Sequence, residues 1–284
     1  MRNIIIDQCE QWLREQVSNA GASGIVLGLS GGIDSSVLAA LGREALGREG
    51  VTGVIMPCHS IDEDEEDARL LISALDLNFL RVDLTDTFDS LVRACAPCEG
   101  GEGHEVARGL FSKKGEGQLA GEGVILKRGP EGQACGGRGC LKLNTLTQSN
   151  MKARLRMVTL YAVAQTKNLL VCGTSNRSEY ETGYFTKYGD SGVDLMPLAN
   201  FLKREIREAA KILGVPEKII TKAPSAGLFE GQTDENDMGF TYDILDEYLS
   251  TGHINNEETR KKIEAMRIKS QHKRKPIPIF KANV

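Results

Sequence analysis

The amino-acid sequence predicts an α/β fold, built on a doubly wound parallel sheet of about five strands with helices on both faces. The first observation is a set of short, continuous apolar runs such as Ile25-Val26-Leu27, which are typical of strands buried on both faces of a parallel sheet. The second is that these runs alternate with segments whose apolar residues recur at helical spacing. The third is a glycine turn, Ser30-Gly31-Gly32, directly after the first run.

The first half of the chain contains three predicted helices and three predicted strands. Ile5, Cys9 and Leu13 fall on one face of the first helix. In chain order, the predicted elements are a helix over 2–20, a strand over 25–29, a helix from 34 to about 47, a strand over 51–56, a helix over 64–75 and a strand over 79–82.

Residues from about 94 to 142 differ in character from the rest, because glycine is dense there and large apolar residues are sparse. We predict that this stretch is an insertion, outside the core sheet, in a single domain that spans 1–284. Regular structure then resumes. The predicted elements are a long helix from 149 to 164 or beyond, a strand over 169–172, and helices over 203–213, 238–250 and 257–270.

The composition excludes several classes of function. A formal net charge of −4 gives no overall attraction to nucleic acid or to anionic lipid, so neither is expected as a partner. The N-terminus lacks a signal-peptide pattern, and no apolar segment reaches the roughly 20 residues that span a bilayer. We therefore expect a cytoplasmic protein in which Cys9, Cys58 and Cys172 are reduced core residues.

The segment Ser30-Gly31-Gly32-Ile33-Asp34-Ser35 has the chemistry of a phosphate-binding loop. Its glycines allow positive φ, and the following helix start offers free N–H groups to an anion. Asp34 would repel phosphates unless it binds a Mg²⁺ ion that bridges them. The loop is not a Walker motif, because no Gly-Lys-Ser/Thr follows at the required spacing. The alternative is an ordinary glycine turn with Asp34 as a first-turn helix residue.

This motif resembles the loop of the ATP pyrophosphatase superfamily, whose members attach AMP to a substrate and release pyrophosphate. Within it, the strings Gly173-Thr174-Ser175-Asn176-Arg177-Ser178-Glu179, Gly183-Tyr184-Phe185-Thr186-Lys187-Tyr188-Gly189-Asp190 and Asp194-Leu195-Met196-Pro197-Leu198 resemble the NAD synthetase family. The resemblance covers roughly residues 2–93 and 143–280. It implies a Rossmann-like fold of the adenine nucleotide alpha hydrolase-like type and one catalytic domain.

The resemblance also implies the site residues. ATP would contact Gly28, Leu29, Ser30, Gly31, Gly32, Ile33, Asp34, Ser35, Thr174, Lys203 and Ser225. Mg²⁺ would be bound by Asp34 and Glu179. Deamido-NAD would contact Arg154, Lys187, Asp194, His272 and Lys273. Without the resemblance, Glu179 and Lys203 would each be interpreted as a solvent-exposed charged residue on a helix.

The implied reaction has two steps. ATP adenylates the nicotinate carboxylate of deamido-NAD, and ammonia then displaces AMP, which gives NAD, AMP and pyrophosphate. Mg²⁺ and Lys203 would stabilise the charge that develops on the phosphoryl oxygens. We expect free ammonia, or ammonia delivered by another protein, as the nitrogen source, because there is no room before the first strand for a glutaminase domain. The family further implies a homodimer.

Two cysteine pairs lie in the predicted insertion, Cys95 with Cys98 and Cys135 with Cys140. Four thiolates suit a tetrahedral Zn²⁺, and an iron–sulfur cluster less well. A redox pair and a loose loop with free thiols are the alternatives.

The cysteines motivate a second hypothesis for function, in which a related ATP pyrophosphatase adenylates its substrate for sulfur transfer. The third hypothesis, a catalytically silent nucleotide-binding regulator, is disfavoured because Glu179 and Lys187 are both present.

Overall fold

A single parallel sheet forms the centre of the protein. The computed structural model describes residues 4–95, 143–224 and 233–281. Within these ranges, four parallel strands lie in the order β3-β2-β1-β4. The strands are β1 Gly24–Gly28, β2 Val51–Ile55, β3 Asn78–Arg81 and β4 Leu169–Val171. The chain moves outward from β1 to β3 and then returns to the other side of β1, so the prediction of a doubly wound α/β fold is confirmed.

The sheet differs in one respect from the prediction of about five strands. In the described residues, a single parallel bridge between Cys172 and Leu195 stands where a fifth strand would begin. Pro197 follows two residues later and has no N–H group with which to continue a ladder.

Helices cover both faces of the sheet and form the C-terminal region. They are α1 Ile4–Asn19, α2 Ile33–Leu46, α3 Asp62–Leu75, α4 Thr85–Cys95, α5 Thr145–Lys167, α6 Arg177–Thr182, α7 Lys203–Ile212, α8 Glu217–Thr221, α9 Asp234–Met238, α10 Tyr242–Thr251, α11 Glu257–Lys269 and α12 Gln271–Arg274. None of the described helices is long and apolar enough to cross a membrane.

The described helices differ from the predicted ones in several places. The helix predicted over 238–250 corresponds to α10 and begins later than predicted, because Gly239 ends the preceding helix α9 with φ +75° and Thr241 caps the start of α10. The helices α4, α6, α8, α9 and α12 were not predicted from the sequence. Because α4 continues to Cys95, regular structure extends into the stretch assigned to the insertion, and residues 96–142 lie outside the described residues.

Asparagine side chains start two helices that carry predicted site residues. The Asn144 side chain accepts a hydrogen bond from Thr147 N at 2.8 Å and caps α5. Asn176 and Glu179 form a reciprocal capping box at the start of α6. The capping box fixes the Glu179 side chain near the end of β4.

Alternate residues of β1 pack into two different apolar clusters. Ile25 and Leu27 belong to the cluster formed with α1, α2, α3 and α7. Val26 faces the opposite way and packs with Phe88 of α4 and Leu160 of α5. The strand is therefore buried on both faces, as its continuous apolar run predicts. A third cluster joins α9, α10 and α11.

The order of the strands creates a crevice at their carboxyl ends. β1 and β4 are parallel neighbours, with Val26 opposite Val171, so the segments that follow them leave the same edge of the sheet. These segments are the Ser30–Ser35 loop and the Gly173–Glu179 segment. Because the chain reverses its direction of strand addition at β1, this edge is where α/β sheets bind ligands.

Candidate functional site

The loop after β1 is shaped by one glycine with an obligatory backbone conformation. Gly31 has φ +74°, and a Cβ atom there would clash with the carbonyl oxygen of Asp64 in α3. The hydroxyl of Ser36 donates to Gly32 O at 2.8 Å. Gly32 is the N-cap of α2 and provides no side-chain cap. The first turn of α2 therefore presents its N–H groups and its positive dipole end to the crevice.

Two carboxylates from different strand ends meet at one ammonium group. Nζ of Lys203, the first residue of α7, lies 2.6 Å from Asp34 Oδ2 and 3.3 Å from Glu179 Oε1. The Lys203 side chain is 1% exposed. Asn176 Nδ2 donates to both carboxylates, at 2.8 Å in each case. Three segments that are far apart in the sequence thus form one compact cluster.

A second layer of acidic and phenolic groups supports this cluster. Tyr242 OH lies 2.8 Å from Asp234 Oδ2 and 3.3 Å from Glu179 Oε1. Asp234 is buried, and its Oδ1 atom has no hydrogen-bond partner. The site therefore holds three carboxylates, those of Asp34, Glu179 and Asp234, close to one lysine.

The electrostatics of the cluster show an excess of negative charge. Burial, together with the neighbouring Asp34, raises the pKa of Glu179 to about 8, although Lys203 opposes the shift. Burial alone would lower the pKa of Lys203, but Asp34 and Glu179 outweigh it and raise that pKa. Carboxylate oxygens that converge on one point are the ligands that Mg²⁺ prefers. The donor set of Asp34 and Glu179 therefore fits a divalent cation.

One cavity of about 950 Å³ runs along this edge of the sheet, within the usual size of small-molecule sites. Its lining includes the following predicted site residues: Gly28, Leu29, Ser30, Gly32, Ile33, Asp34, Ser35, Thr174, Glu179, Lys203 and Lys273. Gly31 is turned against α3 instead. The structure thus brings the residues expected for ATP and Mg²⁺ around one space, with Ser225 lying outside the described residues.

The residues expected to contact deamido-NAD fall into two groups. Arg154 donates to Lys187 O at 3.2 Å, and Lys187 Nζ donates to His272 O at 2.9 Å, so these three lie together. Lys273 donates to the carbonyl oxygens of Gly183 and Phe185. Of these four side chains, only Lys273 belongs to the described lining of the cavity.

The Asp194 carboxylate makes two hydrogen bonds at the end of β4. Its Oδ2 atom accepts from Val171 N at 2.8 Å, and its Oδ1 atom accepts from Tyr161 OH at 3.0 Å. The carboxylate thus extends the hydrogen bonding at the end of β4 and does not belong to the described cavity lining.

The insertion cysteines are described only at Cys95, a partly exposed free thiol at the end of α4. Cys98, Cys135 and Cys140 lie outside the described residues. Cys9, Cys58 and Cys172 are buried, as expected of core residues.

Several residues of the site were missed by the sequence analysis. Arg156 of α5 lines the cavity and donates to Met56 O and Ser60 Oγ, both at 3.2 Å. Asn176 carried a signal, because an asparagine three residues before a glutamate is a capping-box pattern. Asp234 and Tyr242 carried no local signal, since only the fold brings them to Glu179.

The sheet edge, the loop and the carboxylate pair define a phosphate-loop, Rossmann-like nucleotide-binding protein. The family model for NAD synthase matches residues 5–111 and 134–277. The chain is 43% identical, over 95% of its length and 93% of the relative's, to the NH(3)-dependent NAD(+) synthetase of Finegoldia magna. The chain belongs to the NAD synthase family.

Solved structures agree with this assignment. The NMN synthetase of Francisella tularensis superposes with a TM-score of 0.77 at 31% identity, covering 99% of this chain and 98% of that one. The NH3-dependent NAD synthetase of Campylobacter jejuni gives a TM-score of 0.67 at 26% identity, covering 98% and 97%. These relatives are synthetases, and they give the sulfur-transfer alternative no support.

Proposed function

We propose that the protein is an ammonia-dependent C–N ligase that uses ATP to amidate deamido-NAD. The reaction yields NAD, AMP and pyrophosphate through an acyl adenylate. The observation that carries the proposal is the meeting of Asp34, Glu179 and Lys203 beside the phosphate loop in one cavity. This arrangement provides both an anion-binding backbone and a set of charges suited to phosphoryl chemistry.

The phosphate loop and its neighbours would bind ATP. The open N–H groups of the first turn of α2 would face the phosphates, and the Thr174 hydroxyl lies at the end of β4 in the same cavity. Asp34 and Glu179 would hold a Mg²⁺ ion, which neutralises phosphate charge when bound. Lys203 now balances both carboxylates, and once they have another cation its ammonium is available to the transferring phosphoryl group. Ser225 stays a predicted ATP contact on the sequence alone.

The deamido-NAD substrate would lie against the group formed by Arg154, Lys187, His272 and Lys273. Lys187 belongs to the GYFTKYGD segment, Lys273 donates to Gly183 O of the same segment, and Arg154 joins them through the Lys187 carbonyl. Cationic side chains gathered at one place suit the negative pyrophosphate of a dinucleotide. The nicotinate carboxylate would then be directed to the α-phosphate, where attack forms the acyl adenylate that ammonia cleaves.

The test is an assay with deamido-NAD, ATP, Mg²⁺ and ammonium chloride that follows NAD and pyrophosphate together. Stoichiometric formation of both is expected, with no thiol-containing product. Pyrophosphate release that depends on deamido-NAD but gives no NAD would overturn the proposal.

A second candidate substrate is the corresponding deamido mononucleotide. The observation that favours it is the 31% identity and near-complete coverage of a structure named as an NMN synthetase. The same assay with nicotinic acid mononucleotide in place of deamido-NAD separates the two, through the ratio of the kcat/KM values. A ratio in favour of the mononucleotide would reassign the substrate while leaving the chemistry unchanged.

Three further parts of the proposal concern the oligomeric state, the cellular compartment and the cysteine-rich insertion. We propose a homodimer in the cytoplasm, with residues 1–284 forming one catalytic domain. A Zn²⁺ ion held by Cys95, Cys98, Cys135 and Cys140 rests on the sequence pattern alone. Elemental analysis that finds no zinc in active protein purified without chelators would reject the zinc site.

A further inference from the structure

A second ion-pair cluster lies next to the phosphate loop, on the side of α3. The Asp67 side chain of α3 is 0% exposed. Its Oδ2 atom lies 2.6 Å from Lys222 Nζ, and its Oδ1 atom lies 2.7 Å from Lys218 Nζ. Lys222 also donates to Asp64 Oδ1 at 2.9 Å. A fully buried carboxylate thus holds two lysines at or next to α8.

The cluster touches the phosphate loop through Gly31. The position of a Cβ at Gly31 would collide with Asp64 O and lie 3.1 Å from Asp67 Cβ. The loop therefore packs directly on the two residues that hold Lys222. Asp64 and Lys222 both line the large cavity, whereas Lys218 is not part of its described lining.

Among the lysines of the cavity, Lys222 is the one held by carboxylates outside the expected metal site, within the described residues. Among the described lining residues the cations are Arg156, Lys203, Lys222 and Lys273. Lys203 lies between the carboxylates of the expected metal site, and Lys273 donates to backbone carbonyls. Lys222 uses two of its three ammonium hydrogens on Asp64 and Asp67. Its side chain keeps 25% of its surface exposed.

We propose that Lys222 is a phosphate-binding residue of the ATP site, which donates its third hydrogen to the phosphates held by the loop. Asp64 and Asp67 are its positioning residues, because they fix the ammonium beside Gly31. This inference rests on the proposed function, since it requires ATP in the cavity.

The charge of Lys222 is secured by its partners. Burial would lower its pKa, but the hydrogen bonds to Asp67 and Asp64 outweigh burial and raise the pKa. The ammonium therefore stays protonated at neutral pH. An anchored cation loses little side-chain entropy when it binds an anion, which is the advantage of preorganisation.

The experiment compares Lys222→Met with Lys218→Met. Both substitutions remove a lysine from the same Asp67 carboxylate, but only Lys222 lines the cavity. Steady-state assays measure KM for ATP, KM for deamido-NAD and inhibition by inorganic pyrophosphate, and thermal unfolding measures stability. If a charged hydrogen bond to phosphate is lost, Lys222→Met raises KM for ATP and the pyrophosphate inhibition constant about ten-fold or more. In Lys222→Met, the KM for deamido-NAD stays close to the wild-type value. In Lys218→Met, both KM values and the pyrophosphate inhibition constant stay close to wild type.

Failure of this inference can be distinguished from failure of the proposed function. Equal KM values for ATP in the two folded variants would overturn the proposal, and so would a rise in both KM values in proportion to lost stability. If Lys222→Met does not fold, Lys222→Gln retains an amide donor to Asp67 and must show the same selective weakening. A wild-type protein that binds Mg²⁺ and ATP but forms no amide would contradict the proposed function and leave this inference standing.

Discussion

Lys203 connects two carboxylates whose parent strands are neighbours in the sheet but distant in the sequence. Its Nζ atom lies 2.6 Å from Asp34 and 3.3 Å from Glu179. In a buried site, removing one member of such a cluster leaves the others uncompensated, and this destabilises more than the intact pair stabilises. Each residue of the cluster therefore contributes to folding beside the binding role proposed for it, and a test of its chemistry needs a measurement of stability as well.

Asp34→Asn is predicted to reduce turnover by about 100-fold or more, since a metal clamp supplies several kcal/mol of transition-state stabilisation. The amide keeps the shape of the side chain but removes one charge from the metal site. Steady-state assays over a range of Mg²⁺ concentrations measure the effect. Asp243→Asn is the matched control, because Asp243 also lies in the first turn of a helix, α10, but is largely exposed and outside the described cavity lining. Near-normal turnover of Asp34→Asn at saturating Mg²⁺ would make the carboxylate structural.

The three buried thiols are predicted to resist alkylation in the native protein. Burial raises the pKa of Cys9 to about 12 and also raises the pKa values of Cys58 and Cys172. A higher pKa leaves almost no thiolate at pH 8, and the thiolate is the reactive form. Peptide mapping after iodoacetamide treatment should find these three unmodified in native buffer and modified in urea. Native modification of Cys172 would contradict the packing of β4.

The turn between β1 and α2 combines a backbone requirement with a close contact. Gly31 needs φ +74°, and it also has no room for a Cβ beside Asp64. At the scale of elements, the loop is thus locked to α3 as well as to its own helix. This contact is why the position of α3 bears on phosphate binding, although α3 supplies none of the residues assigned to ATP by resemblance.

Gly31→Ala is predicted to lower both stability and ATP affinity. Gly252→Ala is the matched control, because Gly252 has φ +76° in the left-handed region but has no atom within 4 Å of the place that an added methyl group would occupy. The control should cost about 1–2 kcal/mol, the penalty of a left-handed alanine. Gly31→Ala should lower the free energy of unfolding by a larger amount, because the backbone of the loop or helix α3 must also move. Urea unfolding and ATP titration measure the two effects. Equal losses in the two variants would show that the contact with α3 is unimportant.

The sequence predicted the elements better than the contacts between them. The apolar runs of β1 and β2 and the two loops that follow β1 and β4 could be located because buried parallel strands have a distinctive composition. The helices α4, α6, α8, α9 and α12 were missed, and the helix predicted from 238 begins only at Tyr242.

The burial of Glu179 and Lys203 could not be read from local patterns. In its local sequence, each resembles a charged residue on the solvent-exposed face of a helix. Lys203 and its partner Asp34 are 169 positions apart in the sequence. The family resemblance supplied these assignments. It also supplied Asp194, whose carboxylate accepts from Val171 N and Tyr161 OH and whose contact with deamido-NAD stays a prediction.

At the scale of the whole molecule, several apolar side chains remain on the surface of the described chain. Leu146 and Val158 of α5 are largely exposed. Exposed apolar side chains on one long helix suit an interface with a second copy, as the family resemblance implies.

Light scattering is predicted to give twice the chain mass of 30.9 kDa at micromolar concentration. The measurement should be made on the same sample that is assayed for NAD formation. A fully active monomer would reject the homodimer.

The contact between α4 and α5 has a consequence for how the chain tolerates changes in length. Val92, near the end of α4, and Met151, near the start of α5, pack against the same apolar cluster, so the described structure holds the two ends of residues 96–142 near each other. Closing a longer loop between fixed ends raises its entropic cost only logarithmically, by about 0.6 kcal/mol for each doubling. Segments of very different length can therefore join α4 to α5 without disturbing the register of β1 and β4. The match to the NAD synthase family model is interrupted at 112–133, within this same junction.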